Sequence, residues 1–303
     1  MAPQYANAIT AISNITMNGN NITVDGYDSS DTVHFPNGQY TNTYRMAIGN
    51  VASEYGIISV GNANIYGKLL TTPVAAVPVV GASGYVGEWP TVPLPPSHIE
   101  DGWYLNDFNM DIPDVQPPSL SSNTLISNNS KQNINGINTI VLGSGDFLCT
   151  GSLTIGNKEV LDVMTPSRLW VQGSFNMSGQ SAITLEKGAT LTMYVGMPSG
   201  SATSAQFQTV NYALPCNPST LMIYGLPSTT GVSFAGNSTY VGTVYAPEAS
   251  FTLSGSGNNT TDVQGALVVH DINVNGHFNV HYDNNLTRNG LFRGYIANSW
   301  HEL

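Results

Sequence analysis

The chain has 303 residues and a formal net charge of -11, with 41% hydrophobic and only 9% charged residues, against roughly 25% charged in an average soluble protein. That length buries a substantial core, and 15 tyrosines beside that apolar content exclude charge-driven disorder and a staple-dependent miniprotein. The cations Arg45, Lys68, Lys131, Lys158, Arg168, Lys187, Arg288 and Arg293 are scattered, so no basic face exists for phosphates or anionic lipid headgroups, and neither nucleic acid nor an anionic membrane surface is an expected partner.

Taken in chain order, the N-terminal part, 1–72, places Ile9, Ile12, Ile15, Ile22 and Val24 among Asn and Gly and reads as first coils or a cap. Ile57-Ile58-Ser59-Val60 is its clearest strand. Residues 73–118 break the pattern. Pro73, Pro78, Pro90, Pro93, Pro95, Pro96, Pro113, Pro117 and Pro118 forbid interior ladder positions, yet Tyr85, Trp89, Trp103, Tyr104 and Phe108 argue against a solvated linker. This insertion is expected to pack across the flank of whatever the rest builds. From 119 to 303 short β-rich runs return behind Gly or Asn, among them Thr139–Leu142, Arg168–Val171, Thr190–Val195 and Ala266–Val269. Ser250-Phe251-Thr252-Leu253 and Ile272-Asn273-Val274-Asn275 alternate, as strands with one wet face do.

Helical spacing is nearly absent, and the return of apolar pairs behind single turn residues suggests a right-handed parallel β-helix with coils of about 20 residues. An antiparallel β-sandwich with many hairpins is the competing fold. The polar tail Asn298–Leu303 would be a C-terminal cap. No window of about 18 apolar residues occurs, so membrane insertion is not expected. Met1-Ala2-Pro3-Gln4 lacks signal-peptide character, and the expectation is that any targeting segment was removed or never existed.

Four aromatic residues, Tyr85, Trp89, Trp103 and Tyr104, could stack on the apolar faces of sugar rings, and they are the candidate ligand-binding set. Sealing the solenoid's flank is their structural alternative. Asp107, Asn109, Asp111 and Asp114 place oxygen ligands near alternate positions, as a calcium site requires; the glycine and the late glutamate of an EF-hand are missing. No other cofactor is expected. Asp25, Asp28 and Asp31 form a weaker calcium candidate, and His277, Asn279 and His281, with His270 nearby, a weak transition-metal one. Cys149 and Cys216 are the only cysteines, either a disulfide or two buried thiols. No facing carboxylate pair, nucleophile elbow or phosphate loop is legible, so the reading leans away from an enzyme.

The C-terminal third carries Val244-Tyr245-Ala246-Pro247, Gly265-Ala266 and His281-Tyr282-Asp283, and upstream stand Asp25 to Asp31 and Val60–Gly67. These elements resemble an uncharacterised bacterial β-helical domain found behind PilX-like, type IV pilus-assembly segments in envelope proteins. The resemblance implies no catalytic residues. It implies an exported or cell-surface structural and adhesive role, extracellular or in the bacterial envelope and associated with pili, with polysaccharide or cell-surface proteins as partners. A carbohydrate-binding module comes second and a polysaccharide-active enzyme third.

Overall fold

The computed structural model describes residues 4–19, 21–89, 95, 97–120, 122–235, 239–254 and 261–289. The expected cap at 298–303 lies outside them. The chain is all-β, with a large, mostly parallel sheet compatible with a β-helix or solenoid. Among the described residues two face-packed antiparallel sheets are not found, because strand after strand pairs in parallel with a strand one tier on. Gly145–Cys149, Leu153–Ile155 and Val160–Val163 pair in turn with Ser167–Val171, Phe175–Met177 and Ala182–Leu185, and these with Leu191–Val195, Thr203–Phe207 and Thr209–Tyr212. Among the described residues the antiparallel strand pair is Gln132–Ile134 with Ile137–Leu142. Between its strands Asn135 and Gly136 both have positive φ, the backbone that a two-residue hairpin requires.

Register turns the apolar pattern into ladders. Phe147, Leu169, Met193, Ile223, Val244 and Leu267 stand opposite one another in successive tiers, and all are buried. A second ladder runs Leu153, Phe175, Ala205, Val232, Phe251 and Ile272, with Phe207 stacked on Phe234 beside it. Burying each large aliphatic or aromatic side chain contributes about 1.5–3 kcal/mol, so the ladders form the spine of the fold. Asparagines serve the turns. The side-chain oxygens of Asn14, Asn50, Asn128 and Asn157 accept the backbone N–H of Ile57, Lys68, Thr154 and Gln180 in the neighbouring tier. An uncharged amide thus replaces a ladder bond where the backbone bends, which accounts for part of the Asn content.

The tier order departs from the chain order. The C-terminal strand Thr261–Asn275 pairs on one edge with Tyr240–Ser254 and on the other with the N-terminal strands Ile9–Ala11 and Ile15–Met17. Phe278–Asp283 likewise receives Thr23–Tyr27. From there the stack continues through Val51–Ser53 and Leu69–Thr71 to Tyr104–Leu105. The N-terminal tiers therefore extend the C-terminal end of the stack.

Residues 106–122 must then travel back to Asn123–Leu125, the opposite end tier. Ten tier steps at ~4.8 Å are about 48 Å, and the 18 residue-to-residue steps from 105 to 123, in extended, proline-compatible chain, reach about 56 Å. Contacts along the way fall in the required order: Phe108 N–H donates to the Thr71 carbonyl, Tyr245 Oη to the Pro113 carbonyl, and Arg168 Nη2 to the Ser119 carbonyl. The proline-rich stretch is thus two structures. Residues up to 105 still supply tier strands, including the buried Tyr85–Gly87, whereas 106–120 form a strap along the flank.

Candidate functional site

The densest group of buried titratable side chains lies at the seam where the N-terminal tiers join the C-terminal ones. Register places His281 beside Asp25 on one side and Gln264 on the other. His281 Nδ1 meets Asp25 Oδ1 at 2.5 Å and Nε2 faces Asp262 Oδ1 at 3.5 Å. Residues 28–48 fold over this face. Tyr40 from that segment stacks on the imidazole, with centroids 3.5 Å apart, and its hydroxyl donates to Asp25 Oδ2 at 2.7 Å. Its backbone N–H donates to Gln264 Oε1, and Asn279 Nδ2 donates to Asp262. A few residues along, Asp283 accepts from Ser29 N–H, Ser29 Oγ and Asn285 N–H, while Tyr282 Oη donates to the Tyr5 carbonyl.

The electrostatics follow from burial and charge. Burial disfavours a charged His281, but the carboxylates of Asp25 and Asp262 outweigh it and hold the imidazolium above the ordinary histidine range. Burial would raise Asp262, and the facing His281 instead holds it below the usual carboxylate value. Asp283 goes the other way: burial raises it despite its three donors. Burial and the Asp25 charge push Tyr40 up, so it stays a donor.

A general acid or base needs one ring nitrogen turned to substrate. In His281 both nitrogens face carboxylates, one ring face is covered by Tyr40, and both His281 and Asp25 are buried. What this arrangement can do is fix a seam. The charge-assisted bonds join chain segments more than 250 residues apart.

The sequence-selected residues fall elsewhere. Tyr85 is buried, with its hydroxyl donating to the Trp89 carbonyl and to Glu100. Trp103 and Tyr104 pack against the core, and the Tyr104 hydroxyl meets Thr71 Oγ1. Trp89 alone of the four is among the exposed large hydrophobic side chains, at 37%; it lies against Tyr66, with the Arg45 guanidinium over both rings. The four do not form one platform.

Asp107, Asn109 and Asp111 alternate with the inward-facing Phe108, Met110 and Ile112 of the strap, and in an extended chain such positions point outward without converging. They and Asp114 are exposed. Among the described residues no group of three or more His, Cys, Asp or Glu could hold a metal ion. Asp25, Asp28 and Asp31 separate to His281, Arg288 and His34, and His270 turns to Asp271. Cys149 and Cys216 are free, buried thiols; Gln39 Nε2 donates to Cys216 Sγ. Sequence reasoning missed Tyr40 and Asp262, which no local spacing links to His281. It also missed the aromatic ladder Trp170, Tyr194, Tyr224 and Tyr245, whose buried Tyr245 meets the strap at Pro113.

Fold and site together define an all-β protein of parallel tiers whose buried polar centre joins two parts of one stack. The chain belongs to a family described as a domain of unknown function (DUF7305), which matches residues 114–289. That span takes in His281 and Asp262 and leaves out Asp25 and Tyr40, so the seam pairs family residues with the chain's own N-terminal tiers. Among curated proteins and among solved structures, none matches the chain. No helix among the described residues is long and apolar enough to cross a membrane.

Proposed function

We propose that this chain is a non-catalytic structural and adhesive domain of the bacterial cell surface or envelope, associated with pili and wound as a right-handed parallel β-helix. The observation that carries the reading is the use to which its best-placed chemical groups are put. The buried imidazole and carboxylates are spent on one another at a seam, while the regular outward positions of one row present hydroxyls and amides: Thr154, Asn176, Gln206, Ser233, Thr252 and Asn273 in register. Long ladders of buried apolar side chains resist deformation, which suits a spacer or scaffold. An uncharged polar face suits contact with polysaccharide or surface protein without strong desolvation of charge. The resemblance of the Tyr-Ala-Pro and His-Tyr-Asp elements to envelope domains behind PilX-like segments supports the location.

Removing the gene tests this directly. Loss of attachment or piliation, restored by the wild-type gene and by a Tyr85→Phe version, is the expected result. Unchanged adhesion and piliation, with the protein found inside the cell, would overturn it.

A further inference from the structure

Asn123–Leu125 and Tyr104–Leu105 are the two ends of one parallel row and, among the described residues, each has an unpaired edge; we propose that these ends join head to tail with a second copy of this chain. The inference rests on the stacked-tier reading above. Among the described residues, Asn123–Leu125 at one end pairs only with the tier inward of it, and at the other end Tyr104–Leu105 and Val79–Val80 do the same. All belong to parallel rows running in one direction, so the head edge of one copy continues the tail edge of the next in the same sense.

Exposed aliphatic side chains mark both ends. Leu125 is 67% exposed, and Ile134 and Ile137, opposite each other on the hairpin, are exposed too. At the tail Val74, Val77 and Val79 are 84%, 66% and 60% exposed.

A second copy is the occupant favoured because the molecule already makes this kind of joint. Residues 261–275 and 278–283 accept 9–17 and 23–27 as their next tier across more than 250 residues of sequence, by parallel edge pairing in register. Tier addition therefore does not require consecutive chain. Because head and tail are different surfaces, the joint is heterologous and chains of copies grow open-ended.

Sedimentation equilibrium over a concentration series on the full chain tests the proposal. The wild type is expected to gain mass with concentration beyond a dimer. A head-blocked variant, Leu125→Lys/Ile137→Lys, and a tail-blocked variant, Val77→Lys/Val79→Lys, are expected to remain monomers, since edge lysines oppose strand addition. Each retains one working end, so their equimolar mixture is expected to stop at a one-to-one dimer. Circular dichroism and melting temperature confirm that both variants are folded; should either be unfolded, Leu125→Lys or Val77→Lys alone takes its place. A wild type that stays monomeric, blocked variants that associate as the wild type does, or a mixture that stays monomeric or grows past two would each overturn the proposal. A monomeric protein that still supports attachment leaves the surface role standing and removes self-association alone.

Discussion

Replacing His281 by leucine removes the positive partner while filling similar space. Asp25, which is fully buried, then keeps the Tyr40 hydroxyl as a donor in place of the ion pair. Breaking a buried ion pair by deleting one member costs about 3–5 kcal/mol. At roughly 2 °C of melting temperature per kcal/mol for a chain of this size, His281→Leu should melt about 6–10 °C lower. The loss should also depend on pH. His281 has a raised folded value, so its contribution is fully present below the ordinary histidine value of about 6.5 and disappears as pH rises through the higher folded value. Scanning calorimetry of wild type and variant from about pH 6 upward should therefore find their melting temperatures converging toward alkaline pH. Adding Asp25→Asn to His281→Leu should recover part of the loss, because the uncompensated charge goes with it. Equal melting temperatures, or a gap that stays constant into alkaline pH, would refute the reasoning.

Gly265 has φ +144, and a Cβ there would stand 1.9 Å from the Gly242 carbonyl oxygen in the adjoining tier; Gly265→Ala should cost about 3 kcal/mol or more, seen as a lower denaturation midpoint or insoluble expression. Phe251, fully buried in the second ladder, should cost about 3–5 kcal/mol on truncation to alanine, checked by urea unfolding. Tyr245→Phe removes the bond to the Pro113 carbonyl and should cost about 1 kcal/mol, with faster proteolysis within 106–120 as the local readout. Trp89→Ala removes a ring under Arg45, worth about 0.5–1 kcal/mol, and should leave retention on polysaccharide gels unchanged; lost retention in a folded variant would assign glycan binding to Trp89.

Much of the local structure is legible in the residues themselves. Arg168–Val171 and Ala266–Val269 alternate or run apolar between turn residues, and both lie in strands, Ser167–Val171 and Thr261–Asn275. The need for Gly265 at a close approach is likewise readable once neighbouring tiers are imagined. What periodicity does not encode is which strand neighbours which. Asp25 and His281 meet only because tiers 9–27 dock on 261–283, and no residue near either one announces a partner so distant. The proline run illustrates the same limit. Its composition says that 106–120 cannot be an interior strand, but the destination of the strap follows only from where Asn123–Leu125 sits. For the same reason the spacing of Asp107, Asn109 and Asp111 suggested convergence, whereas the need to bury Phe108 and Met110 spreads them outward.

Non-consecutive stacking is tested most directly by a cysteine pair across the seam. Thr16 and Asn273 are register partners on the outward face, whereas Thr252 lies one tier beyond Asn273. Register neighbours lie about 5 Å apart between Cα atoms, within disulfide reach, and the second tier lies beyond it. With Cys149 and Cys216 replaced by serine, mild oxidation should link Thr16→Cys to Asn273→Cys within one molecule, found by mass spectrometry as one joined peptide pair. Thr16→Cys with Thr252→Cys should stay reduced. Failure of the first pair to close, or equal closure of both, would contradict the order of tiers on which the account stands.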